Sequence, residues 1–305
     1  MKVLVTGAGG FVGRELVRNL LAAGHHVVGL DTVARGIPTG ARAIAGDLGD
    51  AAVRGEALAG GCDALVHLAT VPGGAAEADP AASRRINIDA LYDLLLEAAA
   101  ISPGVRVVYA SSIAVLSEPL PALVNDATPI SPTMIYGGHK AMMEDAVAMF
   151  SNRGMIAGVT LRLPGVLARP QGPSGMKSAF MSDLFHALKA GQPYVCPVSA
   201  VGTIWAQSLR RITANFVHGL TLDPALLPPG RAVTLPALRM TMGELAAEIA
   251  RQCGVSPDLV TYRPDGPLER AFARQPLLET AAADHAGFTH DGNLAILVSS
   301  ALSTL

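Results

Sequence analysis

The sequence is short of cysteine, aromatic residues and charge, and each shortage removes a class of protein. Its three cysteines, Cys62, Cys196 and Cys253, lie far apart with no CxxC pair and an odd count, which argues against a disulfide framework and a zinc-ribbon site. No metal is expected. Charged residues make up only 16%, with 23 basic against 25 acidic and no basic block, so neither a nucleic-acid groove nor a polybasic membrane patch is indicated. Hydrophobic residues make up 50% and mean hydropathy is +0.38, yet no run is long and uncharged enough to span a bilayer. The apolar content therefore belongs to a core. Lys2 is followed at once by a strand pattern, with no cleavable apolar leader, which sets the expectation of a cytoplasmic protein. No sequence period points to a solenoid. What remains is a 305-residue chain that forms one large domain or two ordinary ones and whose partner is expected to be a small molecule.

The first pattern present is a strand, a glycine turn and a helix start. Val3, Leu4 and Val5 read as a buried strand, Gly7, Gly10 and Gly13, with the additional Gly9, punctuate the turn, and a helix is expected from Phe11 to Ala23. A helix start leaves amides without partners and carries partial positive charge, so a pyrophosphate can sit there, with Phe11 and Val12 in the first turn. Such glycines also serve mere tight packing. A second strand, His26 to Leu30, ends in Asp31, whose carboxylate can accept from ribose hydroxyls and repel a 2′-phosphate. NAD is thereby favoured over NADP, although Arg35 and Arg42 lie near in sequence. A third strand over Ala43 to Ala45 leads to Asp47 and Leu48, suited to the adenine amino group and ring face.

The pattern then repeats. A helix over 51–60, a strand from Ala64 to Ala69, a loop from Thr70 to Pro80, a long helix from Arg84 to Ala100 and a strand from Arg106 to Ala110 predict a mostly parallel sheet with helices on both faces. In such sheets the ligand lies beyond the carboxyl ends of the strands. His67 reads as a core histidine with satisfied bonds. Beyond residue 165 prolines break the chain into short pieces. Helices are expected at 176–190, 208–220, 241–252 (capped by Thr241 with Glu244) and near 275–284, strands at 232–235 and 260–262, and an apolar tail from Leu294.

Ser111 and Ser112 close the strand ending at Ala110, and Tyr136 and Lys140 sit four apart at the start of a helix continuing to Phe150, so that pair shares one helix face. A phenol is a poor base at neutral pH because its pKa is about 10; a nearby ammonium favours the phenolate. A serine hydroxyl at the strand end can then hold the substrate oxygen. A YxxxK string alone also occurs as a surface pair, but after a glycine turn and a strand-end serine it becomes a catalytic signal. His139, turned to another face, is expected to be solvated or to stand behind the site.

On these residues the chain resembles the extended short-chain dehydrogenase/reductases of the NAD-dependent epimerase/dehydratase type. The family's TGxxGxxG motif corresponds to Thr6 to Gly13, its acidic strand tip to Asp31, its Asp-Leu pair to Asp47-Leu48, its helix asparagine to Asn87, and its catalytic residues to Ser112, Tyr136 and Lys140. The resemblance implies a Rossmann-type doubly wound α/β fold with a smaller, partly discontinuous C-terminal substrate lobe. It implies residues 1–165 as the NAD-binding domain and 166–305 as mainly that lobe, with segments near 205–235 returning to the first. It selects Ser112 over Ser111 for catalysis, gives Lys140 the nicotinamide ribose and Tyr136 the proton, and adds Leu68, Ala69, Thr70, Ser111, Leu163, Pro164 and Val166 to the cofactor contacts. A homodimer is implied as well.

The second half departs from the sugar-nucleotide epimerases, which usually carry an Asn and a Tyr-Gly-Pro turn where this chain reads Arg162-Leu163-Pro164-Gly165. The stretch from Arg162 to Pro173, Ser178-Ala179-Phe180, Cys196-Pro197-Val198 and Trp205 resemble a branch that oxidises the C2 hydroxyl of four-carbon aldonates with NAD. That branch implies a small anionic sugar acid as partner, for which Ser112, Tyr136, Arg169, Lys177 and Trp205 are the candidate contacts; its carboxylate needs a cation, which Arg169 or Lys177 can supply, and both also read as solvated loop charges. Trp205 and Phe180 either wall the pocket or fill the core between lobes. The competing expectations are an NAD-dependent sugar-nucleotide epimerase or dehydratase, and a non-catalytic dinucleotide sensor.

Overall fold

The computed structural model describes residues 1–116, 119–172 and 177–305. The first part of the chain runs β1 (Lys2–Thr6), α1 (Phe11–Ala22), β2 (His26–Asp31), β3 (Arg42–Ala45), α2 (Ala51–Leu58), β4 (Ala64–His67), α3 (Gly73–Ala78), α4 (Pro80–Arg84), α5 (Leu91–Ile101) and β5 (Val105–Ser112). It continues with β6 (Leu123–Val124), α6 (Ile135–Asn152), β7 (Ile156–Leu163), β8 (Gly165–Val166), α7 (Phe180–Lys189), β9 (Tyr194–Cys196), β10 (Thr203–Gln207) and α8 (Leu209–Thr221). The last part is β11 (Ala232–Thr234), β12 (Leu238–Thr241), α9 (Met242–Cys253), β13 (Val260–Tyr262), α10 (Gly266–Phe272), β14 (Leu277–Leu278), α11 (Ala281–His285) and α12 (Leu294–Leu302).

Seven parallel strands form the main sheet in the order β11-β7-β5-β4-β1-β2-β3. Chain order reverses at β1, which pairs β2 on one side and β4 on the other, and that switch point is where open α/β sheets bind ligands. The strands are apolar on both sides because both faces are covered. Leu16, Val17 and Leu20 of α1 meet Ile212, Phe216 and Leu220 of α8 on one face. On the other, Leu91, Leu94 and Leu95 of α5 meet Met143, Val147 and Phe150 of α6. Each such side chain contributes roughly 1.5–3 kcal/mol by leaving water.

The second lobe has its own core, built on Phe185, Leu188, Ile204, Leu245, Ile249 and Leu297. Its largest sheet is β12-β10-β8, and the pairs β13-β9 and β14-β6 are smaller. The chain returns to the first sheet through α8, which packs on α1, and through β11, which pairs β7. The capping box read at Thr241 and Glu244 is present at the start of α9, and Gly254 ends that helix in the left-handed conformation at φ 68°.

Three local expectations are corrected by the structure. The loop expected over 70–80 contains α3, opened by Pro72. The helix expected from Arg84 starts earlier, at Pro80, capped by the Asp79 side chain, and it passes through a wide π turn over Arg85–Ala90. The helix expected near 275–284 is mostly absent. Pro276 biases the residue before it away from helix, Leu277–Leu278 pairs instead with Leu123–Val124, and only Ala281–His285 is helical. Among the described residues no helix is long and apolar enough to cross a membrane.

Candidate active site

Residues at or just beyond the carboxyl ends of four strands, Gly7 after β1, Leu68 after β4, Ser112 of β5 and Leu163 of β7, line one cavity of about 500 Å³. The glycine turn forms one end. Gly7 has φ +70°, and a Cβ there would lie 2.8 Å from the Ala69 amide nitrogen. A Cβ on Gly13 would lie 2.0 Å from the Gly7 carbonyl oxygen, so the turn and α1 close on each other only without a side chain. No side chain caps α1, and Gly10, Phe11 and Val12 at its start line the cavity. An uncapped helix start facing a cavity is an anion site, and it fits a dinucleotide pyrophosphate. Asp31 stands at the tip of β2, where its Oδ2 accepts from the Gly9 amide at 2.9 Å and its Oδ1 from the Thr32 hydroxyl at 3.2 Å.

Other residues expected at the cofactor make bonds within the protein. Asp47 accepts from Arg85 at 2.8 Å and from the Gly49 amide at 2.8 Å, and the Arg85 bond holds its carboxyl below the usual range. Leu48 is buried in the core, and its carbonyl accepts from Arg54 at 3.0 Å. Asn87 is saturated. Its Oδ1 accepts from Thr70 Oγ1 (3.1 Å) and the Val71 amide (2.7 Å), and its Nδ2 donates to the Val71 carbonyl and Ser83 Oγ, both at 3.0 Å. It therefore fixes the loop at residues 70–71 and keeps no bond for a cofactor. Ser111 lines the cavity and donates its hydroxyl proton to Glu144 at 2.5 Å, which leaves it an acceptor only. Ala69 lies behind Gly7, whereas Thr70, Leu163, Pro164 and Val166 reach the cavity.

Tyr136, Ser112 and Lys140 meet at the centre of this wall. Ser112 Oγ accepts from the Ala114 amide at 3.1 Å, which leaves its proton for the Tyr136 oxygen, and the Thr70 hydroxyl bonds to the same phenol. Burial pushes the Tyr136 pKa up, while the Arg169 charge and then the two hydroxyls draw it down. Arg169 is a cation at the phenol that the sequence did not assign there, and Lys140 Nζ lies over the phenol ring, 5.5 Å from its centroid. Lys140 is buried, donates to the Ala110 carbonyl at 2.7 Å and stands 4.9 Å over the Tyr109 ring. Burial pulls its pKa down to about 7, with Glu144 acting against that fall.

Arg169 follows Ala168, a buried non-glycine residue at φ 58°, a conformation that side chains seldom adopt and that directs the next residue. Its Nε donates to the Val166 carbonyl at 3.2 Å, and its guanidinium lies 5.6 Å over the Phe11 ring. The Lys177 side chain and Pro173 lie outside the described residues. Trp205 is a core residue: it is 1% exposed, is not part of the cavity wall, and its indole N–H donates to the Pro276 carbonyl at 2.8 Å. Phe180 is buried with the second lobe's core. His67 is buried and bonded to Thr6 Oγ1 at 2.8 Å, and burial takes it down to about 3. His139 is buried against Ser83 at 3.0 Å rather than solvated.

Three features of the site escaped the sequence. Glu77 of α3 accepts from the Ile135 amide at 2.7 Å and so caps the helix that carries Tyr136. Phe272, Arg274 and Gln275 complete the cavity from the far end of the chain. Glu144, one turn beyond Lys140, could have been found by extending the four-residue spacing of Tyr136 and Lys140 once more. Among the described residues no group of His, Cys, Asp and Glu is placed to hold a metal ion.

A parallel sheet with a switch-point cavity, a glycine turn at a bare helix start and a Ser/Tyr/Lys group on the same wall define a Rossmann-type dinucleotide-dependent enzyme. Residues 3–207 match the NAD dependent epimerase/dehydratase family, and the chain belongs to it. NAD is its cofactor. The chain is 34% identical over 290 residues to a D-erythronate dehydrogenase of Cupriavidus necator, covering 90% of each. It is 30% identical over 261 residues to a D-erythronate dehydrogenase of Haemophilus influenzae, covering 83% of each. Among solved structures, a nucleoside-diphosphate-sugar epimerase from Agrobacterium tumefaciens superposes with a TM-score of 0.89 at 28% identity, covering 98% of this chain and 92% of that one.

Proposed function

We propose that this enzyme oxidises the C2 hydroxyl of a small aldonate, with D-erythronate the first candidate, to the 2-oxo acid. The observation that carries the reading is the shared placement of the Tyr136 phenol, the Ser112 hydroxyl and the Arg169 guanidinium on a cavity that begins at the glycine turn. Ser112 holds the substrate hydroxyl, Tyr136 as phenolate takes its proton, and Arg169 supplies the charge that an adjacent carboxylate requires. Lys140 holds the ribose, as the resemblance implies. Bound NAD supplies the acceptor for the hydride that leaves C2. The likeness to the two D-erythronate dehydrogenases supports the substrate. The test is NADH formation from a panel of C4 to C6 aldonates and 3-hydroxy acids, with sugar nucleotides as controls. Isomerisation of a sugar nucleotide without net NADH, and no response to any acid, would replace this reading with that of an epimerase.

The phenol also sets a pH dependence. Tyr136 acts as a base only when ionised, and burial raises its pKa above the ordinary value near 10, so the ionised fraction is small at neutral pH. Below that pKa the fraction grows tenfold for each pH unit. The kcat/KM for oxidation is therefore expected to climb through neutral into alkaline pH. Arg169→Met removes a charge that favours the phenolate and moves this limb to higher pH. A profile that is flat across neutral pH, or a limb that Arg169→Met leaves in place, contradicts the assignment.

A further inference from the structure

Glu144 is a buried acid that the reaction above does not use. It accepts from Ser111 Oγ at 2.5 Å, from Arg162 Nε at 3.0 and 3.1 Å, and from Arg162 Nη2 at 2.7 Å. Ser111 adjoins Ser112 at the end of β5, Arg162 adjoins Leu163 at the end of β7, and the two are register partners across the sheet. Glu144 itself follows Tyr136 and Lys140 at the same four-residue spacing on α6. One carboxylate thus ties together the three elements that carry Ser112, Leu163 and the Tyr136–Lys140 pair.

We propose that Glu144 is a positioning residue that also acts electrostatically, keeping the buried Lys140 ammonium charged beneath the phenol. Among the described residues, the surroundings of Lys140 leave that role to Glu144. From β5 the ammonium meets Ala110 O and the Tyr109 ring, and from α6 the Tyr136 ring. Tyr109 is held neutral by burial, and so is His67 on β4. Arg162 on β7 and Arg169 on the cavity side carry the same sign as Lys140. Glu144 is the acid that acts on Lys140, and it opposes the burial that drives the ammonium towards neutrality.

A purely structural clamp and an electrostatic one give opposite results in a pair of variants. Glu144→Gln and Arg162→Met both break the same ion pair, so a clamp alone predicts the same loss in each. The electrostatic role predicts opposite shifts. Glu144→Gln leaves Arg162 uncompensated and lowers the pH at which Lys140 titrates, by about one unit or more, whereas Arg162→Met leaves Glu144 uncompensated and raises it. The probe is nitrogen NMR of lysine-labelled protein without substrate, so the result does not depend on which acid is oxidised. The pH profile of NAD binding follows the same shifts. Removing one partner of a buried pair can prevent folding, and Glu144→Met/Arg162→Met, which leaves no uncompensated charge, provides the folded variant. In it the loss of the acid and the loss of Arg162 act in opposite directions, so Lys140 is expected to titrate below its position in Arg162→Met and above its position in Glu144→Gln. Lys140 titrating in the double variant as it does in Arg162→Met, or shifting the same way in both single variants, overturns the proposal.

Discussion

Tyr136→Phe is expected to lower turnover by about 10²–10⁴-fold, the usual contribution of a positioned acid or base, while NAD still binds. The substitution removes one oxygen and keeps the ring that Lys140 Nζ overlies at 5.5 Å. It also leaves each neighbouring hydroxyl one partner. Thr70 keeps its bond to Asn87 Oδ1 at 3.1 Å, and Ser112 keeps the Ala114 amide at 3.1 Å. Buried polar groups left without partners are the usual reason that such a change unfolds a site, and here both hydroxyls retain one. Loss of turnover with intact calorimetric binding of NAD is therefore the expected pair of results. Turnover that survives would remove Tyr136 from the reaction, and a protein that binds NAD but never turned over would be a sensor.

Gly13→Ala is expected to abolish NAD binding at ordinary cofactor concentrations and to destabilise the fold by about 1–3 kcal/mol, the usual cost of overpacking. The new Cβ would lie 2.0 Å from the Gly7 carbonyl oxygen and 2.9 Å from Ala8 Cα. Backbone cannot swing aside as a flexible side chain can, so the turn must open and the first amides of α1 lose their aim. Two neighbouring glycines in the YGGHK stretch give an internal control. A Cβ on Gly137 would meet the Ala114 carbonyl at 2.0 Å, whereas a Cβ on Gly138 meets nothing within 4 Å. Gly138→Ala in this helix is expected to add about 0.5–1 kcal/mol of stability, read from urea denaturation. If Gly13→Ala binds NAD normally, the turn is not the pyrophosphate site.

The first half of the chain was legible because its elements are local. A buried strand, a glycine turn and a helix start can each be read within a dozen or so residues, and β-α-β repetition leaves few topologies open. The second half was legible only in part. Gln275 is placed by Thr203, whose carbonyl and hydroxyl both engage its backbone (3.0 and 2.8 Å), and Pro276 by the Trp205 indole. Such pairings override a local helical pattern, and they bring Arg274 to the cavity. Side-chain commitments were hidden for a similar reason. Motif position placed Asn87 and Ser111 beside the cofactor, but only coordinates show that Thr70, Val71 and Ser83 occupy the bonds of Asn87 and that Glu144 takes the Ser111 proton. The same limit applied to Trp205, for which sequence offered pocket or core and the structure gives core.

The most direct test of the central claim follows the hydrogen itself. D-erythronate carrying deuterium at C2, incubated with the purified enzyme and NAD, is expected to yield the 2-oxo acid and NADH that contains the deuterium. Deuterium retained in the acid, or no NADH from this or any other C4 to C6 aldonate, would contradict the account.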